Sequence, residues 1–168
     1  MLWLQADMGK YRIFALTVSV SLLLDQLSKI YIDNNFVLGE SKRIISDFFH
    51  ITYVRNPGAA FGLFSDNAIR LPFFIGISCV ASLGILWYIR QIPGEKHWQH
   101  LALGLILSGA LGNLIDRIRL GEVIDFLDAH WYNYHWPAFN VADSAICVGV
   151  TIMLICSWHE ERQKKHQI

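Results

Sequence analysis

Acidic residues inside or beside long apolar runs are the side chains of this sequence most able to do chemistry. Asp25, Asp116, Asp125 and Asp143 all lie in such surroundings. Because an ionised carboxylate at membrane depth costs roughly 3 kcal/mol even on lenient insertion scales, a functional reason for it is expected. Two carboxylates in a poorly hydrated site cannot both ionise easily, so one stays protonated and the other charged. Such a pair can activate water against an amide carbonyl and protonate the leaving nitrogen.

The elements that must position these acids are membrane helices. Hydrophobic residues make up 54% of the 168 residues and charged residues 17%, whereas about a quarter of a soluble domain is charged. A helix that crosses a bilayer needs about 20 mostly apolar residues. The sequence therefore predicts a single all-α membrane domain over residues 1–168, a bundle of four transmembrane helices. Its spans are approximately 13–32, 71–89, 98–117 and 139–158.

The predicted helices bring their acids to a common depth. Asp25 lies twelve residues after Ile13 and Asp116 fifteen after Leu101, which is about 18 and 22 Å along a helix at 1.5 Å per residue. Asp143 enters the fourth helix from the opposite end. Three helices thus carry a carboxylate to the same interface of the membrane.

The charges of the chain set its expected orientation and partners. Basic residues divide equally between the two sides, but those on the side of the termini lie in short segments that flank the spans, which favours cytoplasmic termini. Residues 33–70 and 118–138 are then extracytoplasmic loops. The net charge of zero argues against a nucleic-acid partner. The absence of C-x-x-C and H-E-x-x-H spacings predicts no metal site.

The first long loop has the composition of a small sheet. Its "FFHITYVRN" segment is rich in aromatic and β-branched residues, which is typical of a strand. "NPGA" then predicts a type II turn. We therefore expect a small extracytoplasmic β-sheet between helices 1 and 2. In the second loop, Asp128 is interpreted as a solvated carboxylate, whereas the apolar neighbours of Asp125 should draw it into the membrane interface.

Polar pairs at helical spacing have structural as well as functional interpretations. Asp25 and Lys29 are an i,i+4 pair, interpreted as a neutralised pair that lets the helix end snorkel to the interface. Asn140 and Asp143 are three residues apart at the start of the fourth helix. An N-cap explains Asn140, but Asp143 lies one turn deeper, where an ionisable group suggests function.

A third polar group, in "GNLIDR", lies at the end of the third helix. Asn113 shares a face with Asp116 and Arg117 at i,i+3 and i,i+4 spacing. A structural clasp, in which the two charged residues pair, and a role in supporting a site are equally compatible with this spacing.

Three functional classes follow from the residues. The first is an intramembrane aspartyl hydrolase. The alternative is a small proton- or ion-coupled membrane transporter, because carboxylates in helix bundles also relay protons; the lack of an internal repeat fits it poorly. The third is a bundle that binds lipid or a partner helix, which leaves the acids unexplained.

Five motifs, in order, resemble the sequence boxes of the lipoprotein signal peptidases, the type II signal peptidases of bacteria. The resemblance covers essentially the whole chain, including the four spans. Each box alone is weakly specific, but five boxes in the same order and spacing are strongly specific. The motifs are "DQLSK" (25–29), "NPGAAFG" (56–62), "GNLIDR" (112–117), "VIDF" (123–126) and "FNVADS" (139–144).

The resemblance implies an aspartic endopeptidase of the bacterial cytoplasmic (inner) membrane, with its active site near the outer face and no cofactor. Its substrates would be prolipoproteins, cleaved just before the lipid-modified cysteine among the membrane lipids, and its expected inhibitor the cyclic peptide globomycin. By motif, the catalytic dyad would be Asp125 and Asp143. The residues that would shape and support the site are Asn56, Gly58, Asn113, Asp116, Arg117 and Asn140, with Asp25 and Lys29 more peripheral.

Overall fold

Along the chain, one pair of strands follows the first helix and a second pair lies between the third and fourth helices. The computed structural model describes residues 2–58, 69–132 and 134–165, so residues 59–62 of the "NPGAAFG" motif lie outside the described part. The elements, in chain order, are α1 (Leu2–Asn35), β1 (Ser41–Ile45), β2 (Phe49–Asn56), α2 (Arg70–Tyr88), α3 (His97–Leu120), β3 (Val123–Trp131), β4 (Tyr134–His135) and α4 (Val141–Lys165).

The predicted bundle of four membrane helices is confirmed. Within the described ranges, four helices are long and apolar enough to cross a membrane, and they are α1 to α4. α3 lies at the centre and contacts the other three. Most large apolar side chains of α1, α2 and α4 point outward, as expected where lipid replaces water as the surrounding medium.

Small residues let the helix backbones approach closely, as is typical of helices that pack in lipid. A Cβ added to Gly104 of α3 would lie 2.8 Å from the Cβ of Thr17 on α1. A Cβ on Gly149 of α4 would lie 2.7 Å from the carbonyl oxygen of Ala102. Larger residues would push these helices apart, so the glycines fix the distance between the acid-bearing segments.

A small antiparallel sheet covers one end of the bundle, with strand order β1–β2–β3–β4. The first two strands confirm the sheet expected after helix 1. The other two come from the connection between α3 and α4, which the sequence analysis treated as a loop. The first four residues of β3, Val123 to Phe126, are all buried, and a strand buried on both faces lacks the alternating pattern that identifies a half-exposed strand.

The sheet is joined to the end of α1 by polar and apolar contacts. The Arg55 guanidinium on β2 donates to the Asp33 carboxylate at 2.7 Å and to the Tyr53 hydroxyl at 2.7 Å. The Tyr53 hydroxyl also donates to Asp33. The Tyr53 ring packs into a buried cluster with Ile32 and Phe126. The strands therefore lie in a fixed position over the ends of the helices.

Candidate active site

A cavity of about 540 Å³ opens where the sheet meets the bundle. The carboxylates of Asp125 and Asp143 both line it, although they come from different elements. The remaining lining residues include both polar and apolar side chains: Asn56, Gly58, Asn113, Arg117, Val123, Trp136, Pro137, Ala138, Phe139, Ser144, Cys147 and Val148.

Asp125 is placed by a tight connection from α3 to β3. Gly121 ends α3 in the left-handed conformation, with φ of 75°, which favours glycine at this turn. Two residues later β3 begins, and the backbone N–H of Ile124 donates to the Asp116 carboxylate at 3.2 Å. The start of β3 is thereby fastened to α3, with Asp125 next in the chain.

Two side-chain amides hold the Asp125 carboxylate. Asn56 Nδ2 donates to one oxygen at 2.8 Å, and Asn140 Nδ2 donates to the other at 2.7 Å. Asn56 reaches it because Val54 of β2 pairs directly with Asp125, and side chains two residues apart on a strand share a face. The 2% exposure of Asp125 means that these amides replace its water.

Asn140 is brought to Asp125 by a bridge that precedes α4. Phe139 and Leu127 exchange backbone hydrogen bonds of 3.0 and 2.8 Å, so the residue after Phe139 lies beside β3. Asn140 also caps α4, because its Oδ1 accepts the N–H of Asp143 at 2.9 Å. The predicted N-cap is therefore confirmed, and the same side chain also contacts Asp125.

Asp143 faces the cavity from the first turn of α4. Asn113 Nδ2 donates to its Oδ1 at 2.7 Å, and the backbone N–H of Asn140 donates to its Oδ2 at 3.3 Å. The positive end of the α4 dipole favours an anion here. The half-buried Arg117 lines the same cavity and supplies a formal positive charge.

Behind these residues lies a fully buried ion network. Lys29 Nζ is 3.0 Å from Asp25, 2.9 Å from Asp116 and 3.0 Å from Asn113 Oδ1. Asp25 also accepts the N–H of Ala142 at 2.8 Å. Asp25 and Lys29 do form the expected neutralised pair, but the interpretation that this pair snorkels to the interface is wrong. Lys29 is 1% exposed, and acceptors from two helices surround its ammonium.

The network also corrects the expected pairing within "GNLIDR". The spacing is compatible with a clasp between Asp116 and Arg117, but the ionic partner of Asp116 is Lys29. The Arg117 side chain instead turns toward the cavity, and its guanidinium lies 4.8 Å from the centre of the Phe74 ring. Adjacent helical residues point about 100° apart, which separates the two charges.

The surroundings of Asp125 change its acidity. Burial raises the pKa of the Asp125 carboxyl to about 7, and the negative charge of Asp143 acts in the same direction, whereas the amide donors of Asn56 and Asn140 oppose the rise. At neutral pH the Asp125 carboxyl is therefore protonated in much of the population, and a second acid, Asp143, lines the same cavity.

The structure brings together all ten residues that the sequence analysis selected, and it adds others. Gln26 was missed, although it belongs to the "DQLSK" motif; its amide donates to Asp25 at 3.0 Å and to the Gly112 carbonyl at 3.3 Å. The apolar residues that line the cavity were also missed, because nothing in the sequence distinguishes them from other apolar residues of a membrane protein.

Asp128 differs from its expected environment. A solvated carboxylate is expected from its place in a predicted loop, but Asp128 is buried. It accepts a hydrogen bond from Thr52 at 3.0 Å and lies 2.9 Å from His135 Nδ1. It lies on β3, three residues after Asp125, but does not line the cavity. In the described part of the chain, no group of three or more His, Cys, Asp or Glu side chains is placed to hold a metal ion.

Comparison with known proteins identifies the family. Residues 17–159 match the family model of signal peptidase II. The chain belongs to the signal peptidase II family. The lipoprotein signal peptidase of Geobacter sulfurreducens is 55% identical over 154 residues, which cover 92% of this chain and 96% of that protein. The corresponding protein of Syntrophotalea carbinolica is 47% identical, with coverage of 91% and 95%.

A solved structure agrees with the signal peptidase II assignment. A bacterial membrane enzyme determined by the in meso method at 2.3 Å resolution superposes with a TM-score of 0.81, at 32% identity over 90% of both chains. The chain is thus a multi-pass membrane peptidase of a family that processes the signal peptides of lipoproteins. Family membership therefore favours the hydrolase over the transporter among the classes that the residues left open.

Proposed function

We propose that this protein is an aspartic endopeptidase of the bacterial inner membrane that cleaves prolipoproteins just before the diacylglyceryl-modified cysteine. The observation that carries the proposal is the shared cavity: Asp125 and Asp143 line it together, and each carboxylate accepts hydrogen bonds from asparagine side chains. An aspartic mechanism needs two acids in different protonation states. The pKa of about 7 at Asp125 supplies the protonated member.

The proposed reaction assigns a role to each acid. Asp143 takes a proton from a water molecule, whose oxygen forms a bond to the scissile carbonyl carbon, while Asp125 gives its proton to the carbonyl oxygen. When the tetrahedral intermediate collapses, a hydroxyl proton returns to Asp125. The proton on Asp143 passes to the leaving nitrogen as the C–N bond breaks. Arg117 lines the same cavity, and its positive charge would stabilise the negative charge that develops on the carbonyl oxygen before the proton arrives.

The cavity fits a substrate that is part polar and part apolar. Its asparagines can hydrogen-bond a peptide backbone, and its apolar lining residues, among them Trp136, Phe139 and Val148, can contact apolar side chains or lipid. We place both termini in the cytoplasm and the cavity near the outer face of the membrane. Globomycin should compete with substrate for this cavity.

The test is cleavage of a diacylglyceryl-modified prolipoprotein by the purified protein in detergent. Asp125→Asn and Asp143→Asn preserve shape but remove the titratable group, so each alone should abolish cleavage, by about 10⁴-fold or more. The double variant should lose little more, because residues that act as a unit are non-additive. Asp128→Asn, on the same strand but outside the cavity, is the matched control and should cleave. Near-normal cleavage by well-folded Asp143→Asn would refute the mechanism.

A further inference from the structure

Each asparagine that donates to a catalytic carboxylate has its own carbonyl oxygen fixed by a separate donor. The oxygen of Asn56 accepts the backbone N–H of Gly58 at 3.0 Å, and that of Asn140 accepts the backbone N–H of Asp143 at 2.9 Å. An amide can rotate by 180° and exchange its donor for its acceptor at little cost in shape. A donor fixed in the backbone prevents this exchange.

Within the residues that the structure describes, no backbone N–H donates to Asn113 Oδ1, and Lys29 takes that place. The Oδ1 of Asn113 accepts from Lys29 Nζ at 3.0 Å and from Asn140 Nδ2 at 3.1 Å. An ammonium group has three donors and no acceptor, so the oxygen of the amide must face Lys29. Its Nδ2 is then directed to Asp143, at 2.7 Å.

We propose that Lys29 is a positioning residue, whose ammonium holds the Asn113 amide in the one orientation that donates a hydrogen bond to Asp143. The inference rests on the proposed function and deepens it, because it explains how a residue that does not line the cavity acts on the reacting carboxylate. A reversed amide would place its carbonyl oxygen against the Asp143 carboxylate, replacing a charge-assisted hydrogen bond by repulsion.

The ammonium is itself held in place. Its three N–H groups match three acceptors, on Asp25, Asp116 and Asn113, so no donor is left unpaired in a position that is 1% exposed. Gln26 supports the arrangement by donating to Asp25 at 3.0 Å.

The other donor to Asn113 is less specific than Lys29. Asn140 Nδ2 has three acceptors within 3.2 Å, namely Asn113 Oδ1, the Ile124 carbonyl oxygen and Asp125 Oδ1, but only two hydrogens to give. Among the described residues that line the cavity, the charged groups other than Asp143 are Arg117 of α3 and Asp125 of β3. Loss of Lys29 therefore leaves Asn113 Oδ1 without its cationic donor and with only the shared Nδ2 of Asn140.

The test is the effect of Lys29→Met on steady-state cleavage of diacylglyceryl-modified prolipoprotein, with Lys42→Met as the control. Lys42 lies on the exposed strand β1, away from the cavity, and its variant should match wild type. Lys29→Met should lower kcat about 10- to 100-fold, the cost of one charge-assisted hydrogen bond, with KM within about twofold. An unchanged kcat, or an effect confined to KM, would overturn the proposal.

A double-mutant cycle separates positioning from a general structural role. In an Asn113→Leu background no amide remains to be oriented, so Lys29→Met should change the single-turnover rate by less than about threefold. The same fold-loss in both backgrounds would show that Lys29 acts independently of Asn113 and would overturn the proposal.

A charge-balanced double variant tests whether poor folding explains the slow cleavage by Lys29→Met. Lys29→Met leaves two buried carboxylates without a cation, whereas Lys29→Met with Asp116→Asn leaves one. Folded yield should recover in the double variant while kcat stays low, because Asn113 is still not oriented. Recovery of kcat would overturn the proposal. Absence of cleavage by the wild-type protein would instead contradict the proposed function, so the two failures are distinguishable.

Discussion

Asn140 and Asp143 hold each other across the first turn of α4. Asn140 Oδ1 accepts the backbone N–H of Asp143 at 2.9 Å, and Asp143 Oδ2 accepts the backbone N–H of Asn140 at 3.3 Å. This reciprocal arrangement is a capping box. The same two residues contact the proposed dyad, since Asn140 donates to Asp125 and Asp143 belongs to it. Helix capping and active-site geometry are therefore properties of one set of hydrogen bonds.

Substitutions of Asn140 should separate these two properties. Serine is as good an N-cap as asparagine but cannot donate to Asp125 as the amide does. Asn140→Ser and Asn140→Ala should therefore both cleave slowly, at least about tenfold below wild type. Asn140→Ser should be the more stable of the two by about 1 kcal/mol. Thermal unfolding in detergent beside the cleavage rate measures both effects; equal stability would contradict the capping role.

Asp116 should matter for stability as well as activity. Asp116→Asn weakens the ion pair with Lys29 and the acceptor for the N–H of Ile124 that fastens β3. We expect the free energy of unfolding to fall by roughly 1 to 3 kcal/mol, less than for an isolated buried pair because Asp25 still faces Lys29. Glu40→Gln, which removes a partly exposed ion pair with Lys42, is the control and should change stability far less. Equal losses in the two variants would contradict the structural role of the network.

Much of the architecture was predictable because the membrane imposes simple rules. The long apolar runs of the sequence predicted the four helices. The contribution of β3 to the sheet was not predictable by the same route. Its buried run from Val123 to Phe126 has no alternation, and its partner β2 lies about 70 residues earlier in the chain.

The sequence predicted which residues belong to the candidate site but not which of them contact one another. Spacing along a helix showed that Asn113 and Asp116 share a face, and both contact Lys29. Spacing could not show that Lys29 is buried, because the acceptors that surround it belong to α3, which is distant in sequence. The environment of Asp128 was misjudged for the same reason: Thr52 and His135 reach it only through strand pairing.

The orientation of the chain remains a prediction from its charges and is simple to test. Reporter fusions after Gln91, in the turn between α2 and α3, and after Gln167 should both report the cytoplasm. A fusion within residues 33–58 should report the outside and serves as the opposite control. An external signal from either of the first two fusions would invert the topology and place the cavity at the inner face.

The pH dependence of the cleavage rate should reveal the protonated acid. Because the pKa of Asp125 is raised to about 7, its proton is retained below that pH and lost above it. If Asp125 is the proton donor, the rate should fall about tenfold per pH unit above about 7. A rate that keeps rising to pH 9 would exclude Asp125 as the acid.

The same proton should make stability fall with rising pH. Between about pH 4 and 7 the unfolded chain has lost the Asp125 proton and the folded protein still holds it, so the folded state binds more protons and its free energy of unfolding decreases as pH rises. The decrease attributable to Asp125 is on the order of 4 kcal/mol at most, and it is complete above about pH 7. Asp125→Asn has no such proton, so its thermal unfolding curve should decline less steeply than that of wild type across this window. Parallel pH dependence of the two proteins would show that Asp125 titrates normally in the folded state.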